Sequence, residues 1–275
     1  MTVNTNSTLL AKLSDDLNIQ KIKKAVHTKG NIYHFESVES TNRWLQENGR
    51  CGDICISDQQ TAGRGRRGNQ WVSPPTGNIY FSCIQCFDAP STLPHFSLLG
   101  LVVGVAIAEA LNDIGLKGHG VKWPNDIFWQ QKKLGGILIE RVNQSDKVVI
   151  GIGLNVYMPE QESSKIDQKI CSLNQALRVD TNEKKQASRT QLLIAMIKHL
   201  DKHLSQFESL SFKSFLKDWK RWDILKDQSV SFMHQNKEIF GTVTTLDKDG
   251  QIGVLNNMAE LKFYSSADIK LRKKP

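Results

Sequence analysis

The chain has 275 residues, of which 39% are apolar and 23% are charged, a composition typical of globular domains. Lysine and arginine outnumber the acidic residues by 36 to 28, giving a net charge of +8 that suits an anionic ligand, a nucleic acid or an acidic protein partner. The longest apolar run, 98–108, is too short to cross a bilayer, which takes about 20 residues. The polar start of the chain lacks the apolar stretch of a signal peptide. We therefore expect a cytoplasmic protein with no membrane partner.

Five cysteines are present: Cys51, Cys55, Cys83, Cys86 and Cys171. Their odd number, without a secretion signal, predicts reduced thiols. A zinc site built from the first four is the alternative. We favour thiols, because Cys83 and Cys86 are three residues apart in a predicted strand and would point to opposite faces.

Helices and strands alternate along residues 16–222. A helix is predicted over 16–27. A second helix is predicted after Ser40-Thr41-Asn42, which offers a hydroxyl or amide N-cap, and it stops at Gly49. Further helices are predicted over 94–114, 187–207 and 212–222, and strands over 53–57, from 78 onward, and over 121–129, 134–142 and 147–156. Residues 159–186 are polar, and we expect them to be mainly loops.

The pattern changes after Trp222. Residues 228–271 contain short alternating segments separated by turns that are rich in asparagine, aspartate and glycine, which predicts a small β-barrel. The predicted organisation is a helical lead-in over 1–35, a large domain over 36–223 and the small β-domain over 224–275.

The most informative segment, residues 60–71, reads QTAGRGRRGNQW. Glycine allows a ligand to approach the backbone closely, and arginine offers planar, paired donors for phosphate or carboxylate. The segment therefore predicts a small-anion site. A solvated basic loop, or an arginine–glycine segment that binds nucleic acid, remains an alternative.

Two further segments carry polar groups beside predicted strands. In the VKWPND segment, Asn125 and Asp126 follow Pro124, where they could hold a ligand or form an ordinary Asx turn. In KKLGGILIE, Lys133 lies at the start of a predicted strand, just before two glycines. Its ammonium could contact a ligand that is held against the bare backbone of these glycines. The alternative is a solvated lysine pair.

Several familiar nucleotide and metal motifs are absent from the sequence. The GIGLNV segment at 151–156 lacks the third glycine of the dinucleotide fingerprint, and neither a P-loop nor an HExxH motif occurs. The seven histidines are scattered, and we interpret them as surface or packing residues.

Taken together, the ordered segments resemble the biotin–protein ligase family. The resemblance rests on Ser40-Thr41-Asn42, GRGRRG at 63–68 with Trp71, KWPND at 122–126, KKLGGILIE at 132–140 and GIGLNV at 151–156. It implies an α+β fold with a mixed, mainly antiparallel sheet backed by helices, followed by a small SH3-like barrel. It also implies that biotin is activated with MgATP to biotinyl-5′-AMP and transferred to a lysine of a biotin carboxyl carrier domain.

The resemblance assigns roles to individual residues. Lys133, Arg64 and Arg66 form the implied catalytic group, in which Lys133 bridges the biotin carboxylate and the α-phosphate. The implied biotin-binding residues are Ser40, Thr41, Asn42, Gln60, Gly63, Arg64, Gly65, Arg66, Lys133 and Gly136. The implied ATP- or adenylate-binding residues are Arg66, Arg67, Trp71, Lys122, Asn125, Lys133 and Asn155. Asp126 is the candidate for Mg²⁺ or for orienting the acceptor lysine.

Some family members also carry an N-terminal winged-helix domain and repress transcription. Only about 35 residues precede the first motif here, too few for a helix-turn-helix domain with its linker, so we expect neither DNA binding nor repression. The resemblance leaves a homodimer as one option for the assembly.

Two rival functions differ from this prediction. A lipoate–protein ligase shares the fold and the adenylate mechanism, but GRGRRG with KWPND favours biotin. A nucleic-acid-binding protein would interleave aromatic and basic residues on one sheet. The C-terminal aromatic residues instead alternate as a small core would: Phe232, Phe240, Phe263 and Tyr264.

Overall fold

A computed structural model describes residues 17–75, 77–87, 96–142, 146–164, 166–181, 187–235, 237–265 and 272–273. The helices are α1 (Ile19–Ala25), α2 (Thr41–Asn48), α3 (Leu99–Asp113), α4 (Glu160–Ser163), α5 (Leu173–Thr181), α6 (Arg189–Ser205) and α7 (Phe212–Trp222). The strands are β1 (Ile32–Phe35), β2 (Ile54–Ser57), β3 (Ile79–Cys86), β4 (His119–Lys122), β5 (Asp126–Trp129), β6 (Lys132–Arg141), β7 (Lys147–Leu154), β8 (Ser229–His234), β9 (Lys237–Leu246), β10 (Ile252–Leu255), β11 (Leu261–Tyr264) and β12 (Arg272–Lys273).

The large sheet has seven strands in the order β1-β2-β3-β7-β6-β5-β4. Strands β1 and β2 run parallel, and every other neighbouring pair is antiparallel. The prediction of a mixed, mainly antiparallel sheet is therefore confirmed.

Helix α3 forms the apolar backing of this sheet. Eleven of its 15 residues are buried, and it packs against β4, β5, β6, α6 and α7. A Cβ atom at Gly104 would lie 2.9 Å from Val121 and 3.7 Å from Ile137, so this glycine allows the helix to approach the strands closely. Within the described ranges, no helix is long and apolar enough to span a membrane.

Local capping explains where two predicted helices begin and end. The side chain of Ser40 accepts a hydrogen bond from the backbone of Arg43, and Gly49 follows the last turn of α2. Ser211 caps α7 in the same way, because a serine hydroxyl satisfies a free N–H of the first turn. Helix α7 spans the predicted residues, and α6 is shorter than its prediction by about two residues at each end.

Three predictions differ from the structure. The strand predicted over 121–129 is a β4–β5 hairpin, because the chain turns at the cis Trp123–Pro124 bond. The helix predicted over 94–114 begins only at Leu99, and residues 94–95 lie outside the described residues. The stretch 159–186, predicted to be mainly loops, contains the short helix α4 and helix α5.

The prediction that all five cysteines are reduced is wrong. Cys51 and Cys86 form a disulfide with a Cα–Cα distance of 5.6 Å, which lies within the normal range. The backbone of Gly52 donates to Ile84 at 2.9 Å, and this contact brings the turn after α2 beside the end of β3. The pairing also excludes the four-cysteine zinc site. The remaining three cysteines are free.

The C-terminal strands form a second, antiparallel sheet in the order β11-β10-β9-β8-β12, consistent with an SH3-like barrel. The indole nitrogen of Trp123 donates to the carbonyl of Gly250 at 2.9 Å, and Ile224 donates through its backbone to Val121 at 3.2 Å. These bonds join the small sheet and its entry segment to the β4–β5 hairpin. The domain boundary at residue 223 stays a prediction.

Candidate active site

Two glycines leave the centre of the large sheet without side chains. Gly136 on β6 pairs with Gly153 on β7, and the ring of Trp71 covers both. A Cβ atom at Gly153 would lie 2.5 Å from the indole, and one at Gly136 would lie 3.2 Å from it. The indole can therefore reach the sheet only because position 153 carries no Cβ atom, and a side chain at position 136 would crowd the ring.

Lys133 lies beside this glycine-lined surface. Its ammonium is 2.9 Å from a carboxylate oxygen of Asp126 and 5.2 Å from the centre of the Trp71 ring, within the range of a cation–π contact. The Lys133 side chain is 17% exposed and that of Asp126 is 21% exposed. A mostly desolvated ammonium of this kind interacts strongly with any anion that enters the site.

The glycine–arginine loop closes over the same surface. Gly65 donates to the carbonyl of Asn69 at 2.7 Å, and Trp71 donates to the carbonyl of Gly63 at 2.9 Å. A Cβ atom at Gly63 would lie 2.5 Å from the carbonyl oxygen of Trp71. Arg67 has a φ of 57°, a left-handed conformation that a non-glycine residue adopts rarely. The loop thus presents its arginines from a tight, hydrogen-bonded turn.

Arg66 and Arg64 leave this loop in different directions. The Arg66 guanidinium donates to the side-chain oxygen of Asn125 at 2.9 Å. Burial, and then the charge of Arg67, lower the pKa of Arg66 from its usual value. Arg64 instead contacts Glu140 at 3.1 Å and is 40% exposed. The structure therefore places Arg66 near the Asp126–Asn125 turn and Arg64 at the outer edge of the site.

A chain of hydrogen-bonded side chains crosses the sheet on the Arg64 side. Gln60 accepts from the backbone of Thr41 at 2.9 Å, and the Thr41 hydroxyl is 2.6 Å from that of Ser82. Ser82 donates to the Asn42 carbonyl oxygen at 2.6 Å, and Asn42 donates to Glu140 at 2.8 Å. Each of these side chains is oriented by a hydrogen bond to the next one. The chain thereby provides the hydrogen-bond partners that buried polar groups need. We call this chain, from Gln60 to Glu140, the polar chain.

Three members of this arrangement were not predicted. Ser82 is fully buried and joins Thr41 to Asn42, while Ser73 accepts from the Gln60 amide at 3.0 Å. Glu140 receives both Asn42 and Arg64. Only Glu140 carried a usable signal, since a carboxylate directly after the apolar run 137–139 of β6 needs a partner.

Three predicted site residues lie away from the centre. Asn155 is buried and donates to the carbonyl of Cys171 at 3.3 Å, so its side chain serves the local backbone. The Lys122 ammonium lies 4.9 Å from the centre of the Phe128 ring. Ser40 caps α2 and thereby orients Thr41 and Asn42. The remaining predicted residues border the loop, the glycine-lined surface or the polar chain.

Comparison with known proteins identifies the family. Residues 34–156 match the Biotin/lipoate A/B protein ligase family. The chain is 32% identical over 251 residues to the bifunctional ligase/repressor BirA of Escherichia coli, covering 88% of this chain and 74% of that protein. The chain belongs to the biotin–protein ligase family. It is also 35% identical over 115 residues to the biotin–[acetyl-CoA-carboxylase] ligase of Mycobacterium tuberculosis, across 40% of this chain and 42% of the relative.

Solved structures agree with this membership. The biotin protein ligase of Aquifex aeolicus, in complex with biotin and ATP, superposes with a TM-score of 0.74 at 30% identity. The match covers 89% of this chain and 99% of that structure. The fold and the recognised motifs therefore belong to one family, as the sequence predicts.

Proposed function

We propose that this protein activates biotin with ATP and transfers it to a lysine of a biotin carboxyl carrier domain. In the first step, a biotin carboxylate oxygen bonds to the α-phosphorus of ATP and pyrophosphate leaves. In the second step, the acceptor amine bonds to the biotin carbonyl carbon, loses a proton, and AMP leaves. The single observation that carries the proposal is the largely desolvated ammonium of Lys133 beside the Trp71-covered glycine surface.

The first step has an electrostatic problem, because two anions must approach each other. The positive charges of Lys133 and Arg66 offset this repulsion between the biotin carboxylate and the α-phosphate. Their effect is largest in the transition state, in which the two negative charges are closest together. Arg64 and Arg67 extend the positive charge along the loop. Lys133 is paired with Asp126 in this structure, so we propose that an entering carboxylate or phosphate shares or displaces that partner.

The polar chain provides the recognition of biotin. The ureido ring offers one carbonyl acceptor and two N–H donors, so it needs fixed partners inside an apolar pocket. The polar chain and its neighbours provide hydroxyls and amides whose orientation is set by Ser82, Ser73 and Glu140. We propose that Ser40, Thr41, Asn42 and Gln60 form this subsite, together with the backbone of Gly63 and Gly65.

Trp71 supplies the cover of the reaction site. Its indole nitrogen is buried and, among the described residues, finds no hydrogen-bond acceptor. Because a buried donor without an acceptor is costly, a ligand oxygen at this place would be bound favourably. We propose that Trp71 covers the adenylate and excludes water from the acyl-phosphate anhydride. Asn125 positions Arg66. Lys122 and Asn155 lie away from the centre of the site, and we propose that they meet only the outer part of the nucleotide.

Asp126 does not fit a direct Mg²⁺ ligand in this arrangement. Its carboxylate is paired with Lys133 at 2.9 Å, and no group of three potential metal ligands among the described residues includes it. Protein-bound Mg²⁺ often keeps several waters and uses substrate phosphates. We therefore assign Asp126 to holding Lys133 and orienting the acceptor lysine.

The proposal extends to the partner and the cellular role. The acceptor is a carrier domain of a biotin-dependent carboxylase, and the net charge of +8 suits phosphates and an acidic carrier surface. A cytoplasmic location, a homodimer through sheet edges and the absence of transcriptional repression stay predictions. The last is tested by a gel-shift assay, in which specific operator binding would contradict it.

The function is tested by offering the two cofactors of the family side by side. We expect ATP–pyrophosphate exchange with biotin and not with lipoate, followed by biotin on one lysine of a carrier domain, read by mass spectrometry. Exchange with lipoate alone would contradict the biotin assignment while keeping the adenylation chemistry. Exchange with neither cofactor would contradict the enzyme activity.

A further inference from the structure

A cluster of histidine and carboxylate side chains lies on the helices behind the sheet. Glu109 on α3 faces His199 and His203 on α6, and their side chains are 19%, 18% and 14% exposed. Because residues four apart share one face of a helix, both imidazoles meet the same carboxylate. Their potential ligand atoms all lie within 4.8 Å of one another.

This cluster is separate from the candidate active site. Side chains alternate between the faces of a strand, so Ile137 points away from the face on which Gly136 meets Trp71. Ile137 instead lies next to the position of Gly104 on α3. The helix that carries Glu109 therefore packs on the opposite face of the sheet from Lys133.

Each ring nitrogen of His199 faces a carboxylate. Its Nδ1 is 3.0 Å from a Glu109 oxygen, and its Nε2 is 2.8 Å from an Asp113 oxygen. An imidazole that binds a metal through one nitrogen carries its proton on the other, so this placement suits a metal on the Glu109 side and a hydrogen bond on the Asp113 side. A cation bound between Nδ1 and Glu109 satisfies both ends, since Nε2 then carries the proton and donates to Asp113.

This arrangement matches the way proteins build transition-metal sites. A histidine that binds a metal commonly donates its other N–H to a carboxylate, which fixes the ring. The His203 Nε2 atom is 2.9 Å from the same Glu109 oxygen. In a tetrahedral site with metal bonds of about 2.0–2.1 Å, neighbouring ligand atoms lie about 3.3 Å apart. The two nitrogen–oxygen distances to Glu109, 3.0 Å from His199 and 2.9 Å from His203, are slightly shorter than this separation.

We propose that Glu109, His199 and His203 bind one divalent transition-metal ion of the zinc class, with Asp113 orienting His199. Imidazole ligands favour zinc, nickel or copper over magnesium and calcium. Water fills the remaining coordination position at the partly exposed edge. Lys202, whose ammonium is 3.6 Å from Glu109 and whose side chain is 58% exposed, turns toward solvent when the ion enters.

The bound ion would link α3 to α6 and stabilise the helical layer. Its effect on the protein is therefore structural and does not depend on the proposed adenylation reaction. Since the ion binds the folded state, its binding raises the unfolding temperature.

Cobalt and zinc titrations of the metal-stripped full chain test the proposal. We expect one Co²⁺ per chain with the visible absorption of a tetrahedral nitrogen–oxygen site, displaced by Zn²⁺, and a higher unfolding temperature with either ion. His203→Ala should abolish binding, whereas the control His34→Ala, in a surface pair with Asp58, should retain it. Failure to bind one equivalent, or binding that persists in both His199→Ala and His203→Ala, overturns the proposal.

A second pair of variants covers the case in which a histidine variant fails to fold. Asp113→Asn keeps all three ligands and should weaken Zn²⁺ binding by about 10- to 100-fold, as loss of an orienting carboxylate does. Asp201→Asn, an exposed residue of the same helix as His199, should leave the affinity unchanged. Equal affinities for the two variants would contradict the role given to Asp113 and, with it, the site.

Discussion

The indole of Trp71 lies against Gly153 so closely that a Cβ atom at Gly153 would come within 2.5 Å of the ring. This contact couples the glycine–arginine loop to the central strands of the sheet. Because the Lys133 ammonium also lies 5.2 Å from the centre of the same ring, the position of the ring determines the shape of the site. A methyl group at position 153 is therefore a direct way to displace it.

Gly153→Ala should reduce biotin adenylation by about 10- to 100-fold, since small displacements of positioned groups have effects of this size. The measurement is pyrophosphate exchange, with thermal unfolding to verify folding. Gly100→Ala is the matched control, because its Cβ would make only ordinary contacts at 3.7 and 3.8 Å. Wild-type exchange in Gly153→Ala would contradict the placement of the indole.

Ser82→Ala should raise the KM for biotin more than it changes kcat. The substitution leaves Thr41 and Asn42 without their common partner, and an unsatisfied buried group costs about 1–3 kcal/mol. The control Ser188→Ala removes the N-cap of α6 and costs about 1 kcal/mol of stability without touching the polar chain. Equal KM values for the two variants would show that the polar chain does not orient the biotin subsite.

Arg66→Gly should release the adenylate into solution about tenfold faster or more, because a hydrogen bond to a charged group contributes about 1.5–3 kcal/mol. The check is a release assay with labelled biotinyl-5′-AMP, together with biotinylation of lysines outside the carrier domain. Asn125→Ala should act in the same direction, since Asn125 holds Arg66. Arg43→Ala, on the exposed face of α2, should not. Tight retention by Arg66→Gly would refute the role.

Features set by local sequence were predicted correctly. Helix α7 follows from its apolar spacing, and strands β6 and β7 follow from their runs of isoleucine, valine and leucine. Asp126, Lys133 and the paired glycines lie together because one sheet carries them, and their roles stay predictions. The β4–β5 hairpin was missed because the apolar residues on both sides of its turn were assigned to one strand.

Features set by distant contacts could not be predicted in the same way. Nothing near Ser82 in the sequence indicates that Thr41 and Asn42 meet it, and the pairing of Cys51 with Cys86 depends on how a turn packs against a strand end. Glu109 lies 90 residues before His199, so only the four-residue spacing of His199 and His203 offered a signal.

Thiol counting tests the disulfide and the buried cysteines. Burial raises the pKa of Cys55, Cys83 and Cys171 to about 12, so little thiolate forms at neutral pH and the native protein should react slowly with an aromatic disulfide reagent. After denaturation we expect three reactive thiols, the free cysteines, and after reduction all five cysteines. Five thiols without reduction would contradict the Cys51–Cys86 bond.

The central claim is that Lys133 carries the adenylation of biotin. Its most direct test is biotin-dependent ATP–pyrophosphate exchange in Lys133→Ala and in Lys132→Ala, the exposed neighbour on the same strand. We predict that exchange is lost in Lys133→Ala and retained in Lys132→Ala, with both variants folded. Wild-type exchange in Lys133→Ala, or equal loss in both variants, would contradict the claim.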